Sequence, residues 1–160
     1  HEICFIPDGD TAGFVERQLP DPDRSGDIVD SAGRVIGQHR GVHRLTVGQR
    51  KGLGLATGTP MYVLKLDSSE ARVTVGPREE LGRRDFSASQ VNWIAGNPPD
   101  SPRPLTARIR HRHHDAPAIV TPDGTTRAAV VFSSPQMAIT PGQAVVFYDG
   151  EDVVGGGWID

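Results

Sequence analysis

The chain has a single cysteine, Cys4, in 160 residues. That excludes a framework of internal disulfides and fits a reducing cytosol, so a cytoplasmic location is expected. No apolar run approaches the roughly 18 residues needed to span a membrane, and no membrane partner is expected. Nothing resembles a signal peptide. No Walker motif and no Ser-Gly-Gly-type pyrophosphatase loop occurs anywhere, so these residues are expected to bind no ATP and no other cofactor by themselves. Excess positive charge is also missing. The net charge is −3, so any claim of nucleic-acid binding must rest on local clusters. The first residue is His1 rather than Met, and the chain reads as an excised piece of a longer protein.

Aromatic residues are few, at 6%, whereas 19 glycines and 13 prolines make up a fifth of the chain. That balance argues for many turns and short strands rather than long helices. The best helix candidate covers 10–19, where Asp10 and Thr11 can cap and Phe14, Val15 and Leu19 fall on one side. Pro20-Asp21-Pro22-Asp23 ends it. A hairpin is expected at 27–30 and 34–37 about Ser31-Ala32-Gly33. A second is expected at 61–66 and 72–75 about Asp67-Ser68-Ser69-Glu70. Apolar patterning stops near Arg78–Arg84, which places units at 1–82 and 83–160. Beyond it, short strands are expected at 86–94, 105–113, 117–121, 126–132, 144–148 and 152–159. The fold class is therefore mainly β: a small central β-rich domain followed by a six-stranded antiparallel β-barrel, whose closure removes exposed sheet edges.

Four features carry candidate chemistry. Thr46-Val47-Gly48-Gln49-Arg50-Lys51-Gly52-Leu53 sets an amide and two cations between glycines. Glycine lets the backbone turn tightly and approach a ligand, and Gln49, Arg50 and Lys51 suit contacts to phosphate and base edges. The other reading is a solvated basic turn. Cys4, among Ile3, Phe5 and Ile6, is either a buried small hydrophobe or a thiolate that needs nearby positive charge. Residues 103–114 hold four arginines and no acid. In a regular strand Arg108, Arg110, Arg112 and His114 share one face, and Leu105, Ala107, Ile109, His111 and His113 the other. The arginine row suits either phosphates or solvent. Adjacent ligands such as His113 and His114 rarely converge on one ion, and no metal site is expected. Finally, Gly155-Gly156-Gly157 lacks a following helix and fits a closely packed final barrel strand better than a phosphate cradle.

Ile3-Cys4-Phe5-Ile6, the Gly48–Leu53 block, Ala138-Ile139-Thr140-Pro141-Gly142-Gln143 and Gly155–Gly157 occur in this order along the chain. Together they resemble the C-terminal half of the tRNA-specific 2-thiouridylases, across essentially all 160 residues. Two positions depart from the pattern: Arg44, where the family often has an aromatic residue, and Val153, where some members have a second cysteine. The resemblance implies an enzyme that puts sulfur on the wobble uridine of tRNA. It implies that Cys4 receives sulfur as a persulfide from a donor protein, and that a cysteine in an N-terminal domain can form a disulfide with it. It implies that Arg110, His111 and Gln143 touch tRNA near the anticodon, and that ATP is used through a loop of that N-terminal domain. On this view the present residues alone are inactive. The alternative is a non-catalytic RNA-binding or translation-factor-like β-barrel module, or an interaction domain whose arginines are merely solvated.

Overall fold

The computed structural model describes residues 10–18, 25–110 and 114–160. The chain divides between Leu81 and Gly82 into two compact units, and each is described by itself.

The first unit opens with helix α1, Thr11–Glu16, whose N-cap Asp10 accepts the Gly13 N–H at 2.9 Å. The helix is shorter than the expected 10–19. Its last turn tightens, with Gln18 N–H bonding the Val15 carbonyl at 2.9 Å. Pro20, two residues on, has no N–H to continue it. Four strands follow: β1 Gly26–Val29, β2 Val35–His39, β3 Tyr62–Asp67 and β4 Arg72–Gly76. Both expected hairpins form, and a carboxylate closes each turn. Asp30 accepts from Ala32 N at 3.0 Å, Arg34 N at 2.9 Å and Arg34 Nε at 2.7 Å. Asp67 does the same for Ser69 and Glu70. The hairpins join through β1 and β4, which pair in parallel, giving the sheet order β2-β1-β4-β3. Ile28, Leu53, Val63, Val73 and Val75 form its core.

The second unit is a closed six-stranded antiparallel barrel. Its strands are β5 Gly82–Trp93, β6 Arg103–Arg108, β7 Ala116–Pro122, β8 Ala128–Met137, β9 Ala144–Asp149 and β10 Asp152–Ile159. They close in the order β10-β5-β8-β7-β6-β9. Period-two alternation sends Leu105, Ala107, Ala118, Val120, Val130, Phe132, Val145 and Phe147 inward. Aromatic rings are few but central: Phe86 meets Phe132 at 5.8 Å between centroids, and Trp93 stacks on Phe147 at 5.9 Å. The Trp93 Nε1–H is satisfied by the Thr125 carbonyl at 3.0 Å. Strand β6 ends at Arg108, short of the expected 113. Ala107, near the end of β6, pairs with Ala116 at the start of β7.

Candidate functional site

The basic loop of the first unit is built by hydrogen bonds to β3. Gly48 N–H donates to the Val63 carbonyl at 2.7 Å, and Val63 N–H donates to the Gln49 carbonyl at 3.0 Å. The Gln49 side chain braces the loop from within. Its Oε1 accepts Thr46 N–H at 3.0 Å, and its Nε2 donates to the Lys51 carbonyl at 2.9 Å. Gly48, Gly52 and Gly54 have φ of 86°, 77° and 66°, a region that side-chain-bearing residues avoid. Leu53 is buried in the core and anchors the loop's far end. Arg50 and Lys51 are exposed and have no ion-pair partner among the described residues.

Next to this loop runs a segment held by two histidines. His39 is buried. Its Nε2 lies 2.9 Å from the Ala71 carbonyl and its Nδ1 accepts Gly41 N–H at 3.0 Å, so the ring is the Nε2–H tautomer. Gly41 has φ of 138°, and a Cβ there would sit 2.3 Å from His43 Cε1. Glycine at 41 thus makes room for the His43 ring. The His43 Nε2 reaches Glu16 Oε1 at 2.9 Å, and Arg44 pairs with the same carboxylate. Glu16 therefore ties α1 to the basic segment. No spacing rule points to this contact, because Glu16 and His43 are 27 residues apart. Together the loop and the histidine segment wall a concave pocket of about 290 Å³.

In the barrel, Arg110 lies just beyond β6, is exposed, and donates from Nη1 to the Met137 carbonyl at 3.0 Å. The arginine row is not uniformly free. Arg103 pairs with Asp149 at 2.6 Å. Arg108 pairs with Asp115 at 2.5 Å and lies 5.4 Å from the Tyr148 ring centroid. Of these three, Arg110 alone has no carboxylate partner among the described residues. Gln143 ends a tight turn. Its N–H bonds the Thr140 carbonyl at 3.3 Å, with Gly142 at φ of 81°, as a type II turn requires. Gly142 N–H and the Gln143 carbonyl each bond Ile159 at 2.8 Å, so the turn is stitched to the end of β10. The Gln143 Oε1 is buried and has no hydrogen-bond partner among the described residues. Cys4 and His111 lie outside the described residues, as do Arg112 and His113. No group of three His, Cys, Asp or Glu side chains gathers among the described residues, and Asp115 is committed to Arg108.

The glycine tract has a packing role. A Cβ at Gly155, Gly156 or Gly157 would fall 2.7, 2.6 or 2.6 Å from the carbonyl oxygens of Asn92, Val145 and Ser89. The neighbouring backbones of β5 and β9 leave space for hydrogen only.

Residues 12–77 match the model of the tRNA methyl transferase PRC-barrel domain, and residues 83–159 that of the aminomethyltransferase beta-barrel domain. The class is thus a PRC-barrel-type sheet followed by an aminomethyltransferase-type β-barrel. Similar proteins include the tRNA-specific 2-thiouridylase MnmA of Koribacter versatilis, 49% identical over 99% of this chain and 44% of the relative. Those of Acidobacterium capsulatum and Geotalea uraniireducens are 47% and 48% identical, over 99% of this chain and 45% and 42% of theirs. The chain belongs to the tRNA-specific 2-thiouridylase family and spans a little under half the length of these relatives. Among the described residues, no helix is long and apolar enough to cross a membrane.

Proposed function

We propose that this chain is the central and C-terminal part of a tRNA-uridine 2-sulfurtransferase that thiolates the wobble uridine. The observation that carries this reading is similarity over 99% of this chain, at 49% and 48% identity, to relatives named tRNA-specific 2-thiouridylase. In the complete enzyme, ATP adenylates the uridine O2 and pyrophosphate leaves. The outer sulfur of a Cys4 persulfide, loaded by a donor protein, attacks C2, and AMP departs with the former carbonyl oxygen. A second thiol, from the N-terminal domain, then attacks the Cys4 sulfur. It forms a disulfide and leaves the 2-thiocarbonyl on the base. Stabilising the charged intermediate needs preorganised donors in a site closed to water. Gln49, Arg50 and Lys51 border that site, and Arg110, His111 and Gln143 hold the tRNA near the anticodon. The exposed Arg110, which has no carboxylate partner among the described residues, and the orphaned Gln143 amide oxygen support that assignment.

The test is nucleoside mass spectrometry of bulk tRNA from a strain lacking the gene. Loss of 2-thiouridine, restored by the wild-type gene, is the expected result. Unchanged 2-thiouridine overturns the assignment and favours a non-catalytic RNA-binding module.

A further inference from the structure

The pocket of the first unit has the features of an anion site. Arg40, Gly41, Gln49, Gly52, Leu53 and Gly54 contribute to its wall, and no acidic side chain lines it among the described residues. Arg44, also in the wall, is neutralised by Glu16. Arg40 is exposed and has no ion-pair partner among the described residues, so its guanidinium is available at the pocket. The backbone supplies the second element. Gly52 and Gly54 have φ of 77° and 66°, while Leu53 between them keeps the ordinary negative sign. Alternating handedness turns successive N–H groups toward one side and forms a concavity that binds anions. The N–H groups of Gly52, Leu53 and Gly54 have no hydrogen-bond partner among the described residues. Gly52 and Gly54 are exposed, so a ligand can reach their N–H groups, and the residue between them, Leu53, is buried, where a backbone donor normally finds a partner. The Gln49 brace and the buried Leu53 hold the loop in this shape without using those donors.

We infer that this pocket binds a phosphate group of the RNA backbone, through the Gly52–Gly54 N–H groups and the Arg40 guanidinium. The inference rests on the tRNA-modifying reading for its choice of polymer. A free phosphate or a mononucleotide presents the same chemistry, and the experiment separates them. The site is distinct from Arg110 and Gln143, which lie in the other unit.

The experiment uses the 160-residue chain, a tRNA anticodon stem-loop, inorganic phosphate and AMP. Two-dimensional amide NMR follows Gly52, Leu53 and Gly54. Fluorescence titrations measure stem-loop affinity across a salt series for wild type, Arg40→Ala, Arg110→Ala and the control Arg78→Ala. The expected result is that the three amides shift with the stem-loop. Arg40→Ala should weaken stem-loop binding about tenfold, and its log–log salt slope should fall by about 0.7 to 0.9, the value of one phosphate contact. Arg78→Ala should behave as wild type. Arg40 is exposed and unpaired, so its variant should melt as wild type does. If the amides shift with phosphate or AMP while Arg40→Ala leaves the stem-loop slope unchanged, the RNA-backbone assignment is overturned in favour of a small-ligand site. If the amides shift with none of the three probes, the pocket is not an anion site. In either case Arg110→Ala still reports on the barrel contact by itself, so failure of the pocket and failure of the tRNA reading are told apart.

Discussion

At the scale of single residues, the instructive side chain is Gln143. Its backbone closes the Thr140–Gln143 turn, yet its amide oxygen is buried without a partner. A glutamine that merely capped its own turn would spend the side chain on that turn. An unsatisfied buried acceptor costs roughly 1–3 kcal/mol unless a ligand supplies the missing donor. Gln143→Ala is therefore expected to weaken tRNA binding by about 1 kcal/mol, the net value of one hydrogen bond, with melting temperature nearly unchanged. A sharp fall in melting temperature with normal binding by the folded fraction would make Gln143 a turn residue only. Asp30 illustrates the opposite case, a carboxylate fully used by the fold. The hydrogen bonds from Arg34, side chain first and then backbone, hold its pKa below the ordinary 3.8. Because the folded-state value is the lower one, Asp30 stabilises the fold above the ordinary value. That contribution is lost as pH falls through the folded value. Asp30→Asn should thus lower the melting temperature at neutral pH. The gap to wild type should close as pH falls below 3.8 and through the lowered folded value, and a gap independent of pH would show that the charge plays no part.

At the scale of elements, the sequence is most legible where a local rule applies. Asp30 and Asp67 mark their hairpins because a short carboxylate can bond backbone N–H groups two to four residues on. The barrel strands are readable from apolar alternation, as at Leu105, Ala107 and Ile109, all buried. Contacts between distant segments are not readable this way. Nothing local pairs Ile28 with Val73 in the parallel β1–β4 ladder, or brings Glu16 to His43. The end of β6 is another such case: alternation continues through residue 113 in sequence, whereas the strand ends at Arg108, next to the pair that Ala107 makes with Ala116 of β7. The candidate site shows the same divide. Gln49 is conspicuous in sequence as a reader of base edges, whereas both ends of its amide close its own loop. The pocket formed with Arg40 leaves no motif. The glycine tract allows a direct element-scale test. Gly157→Ala would push a methyl group to 2.6 Å from the Ser89 carbonyl, backbone that cannot step aside without opening the β10–β5 seam. The expected outcome is faster amide exchange on both strands and a lower melting temperature. Wild-type exchange along Ala88–Asn92 would show that the barrel absorbs the methyl by relaxation.

At the scale of the whole molecule, the net charge of −3 and the proposed nucleic-acid partner are reconciled by where the charge sits. Among the described residues, Arg40, Arg50 and Lys51 have no ion-pair partner around one loop in the first unit, and Arg110 has no carboxylate partner in the second. Arg103, Arg108 and Arg127 are each held by aspartates. Short-range positive patches on an acidic whole bind polyanions locally and discourage indiscriminate association. The proposed chemistry divides along the chain as well. The sequence contains Cys4, the one thiol able to carry a persulfide, but no loop able to cradle ATP. The 160-residue chain, given ATP, tRNA and sulfide, is therefore expected to form no 2-thiouridine. In the full-length enzyme, Cys4→Ser should abolish thiolation with a protein persulfide donor while adenylation of tRNA continues, because serine keeps the size of the side chain but cannot hold a transferable sulfur. Two assays on one preparation decide it: release of pyrophosphate on adding tRNA, and mass spectrometry of the digested tRNA. Pyrophosphate release without 2-thiouridine assigns the sulfur-carrying role to Cys4. Near-normal thiolation by the serine variant with that donor would move the role to another thiol, and loss of both activities would make Cys4 a residue the fold needs rather than one the chemistry uses.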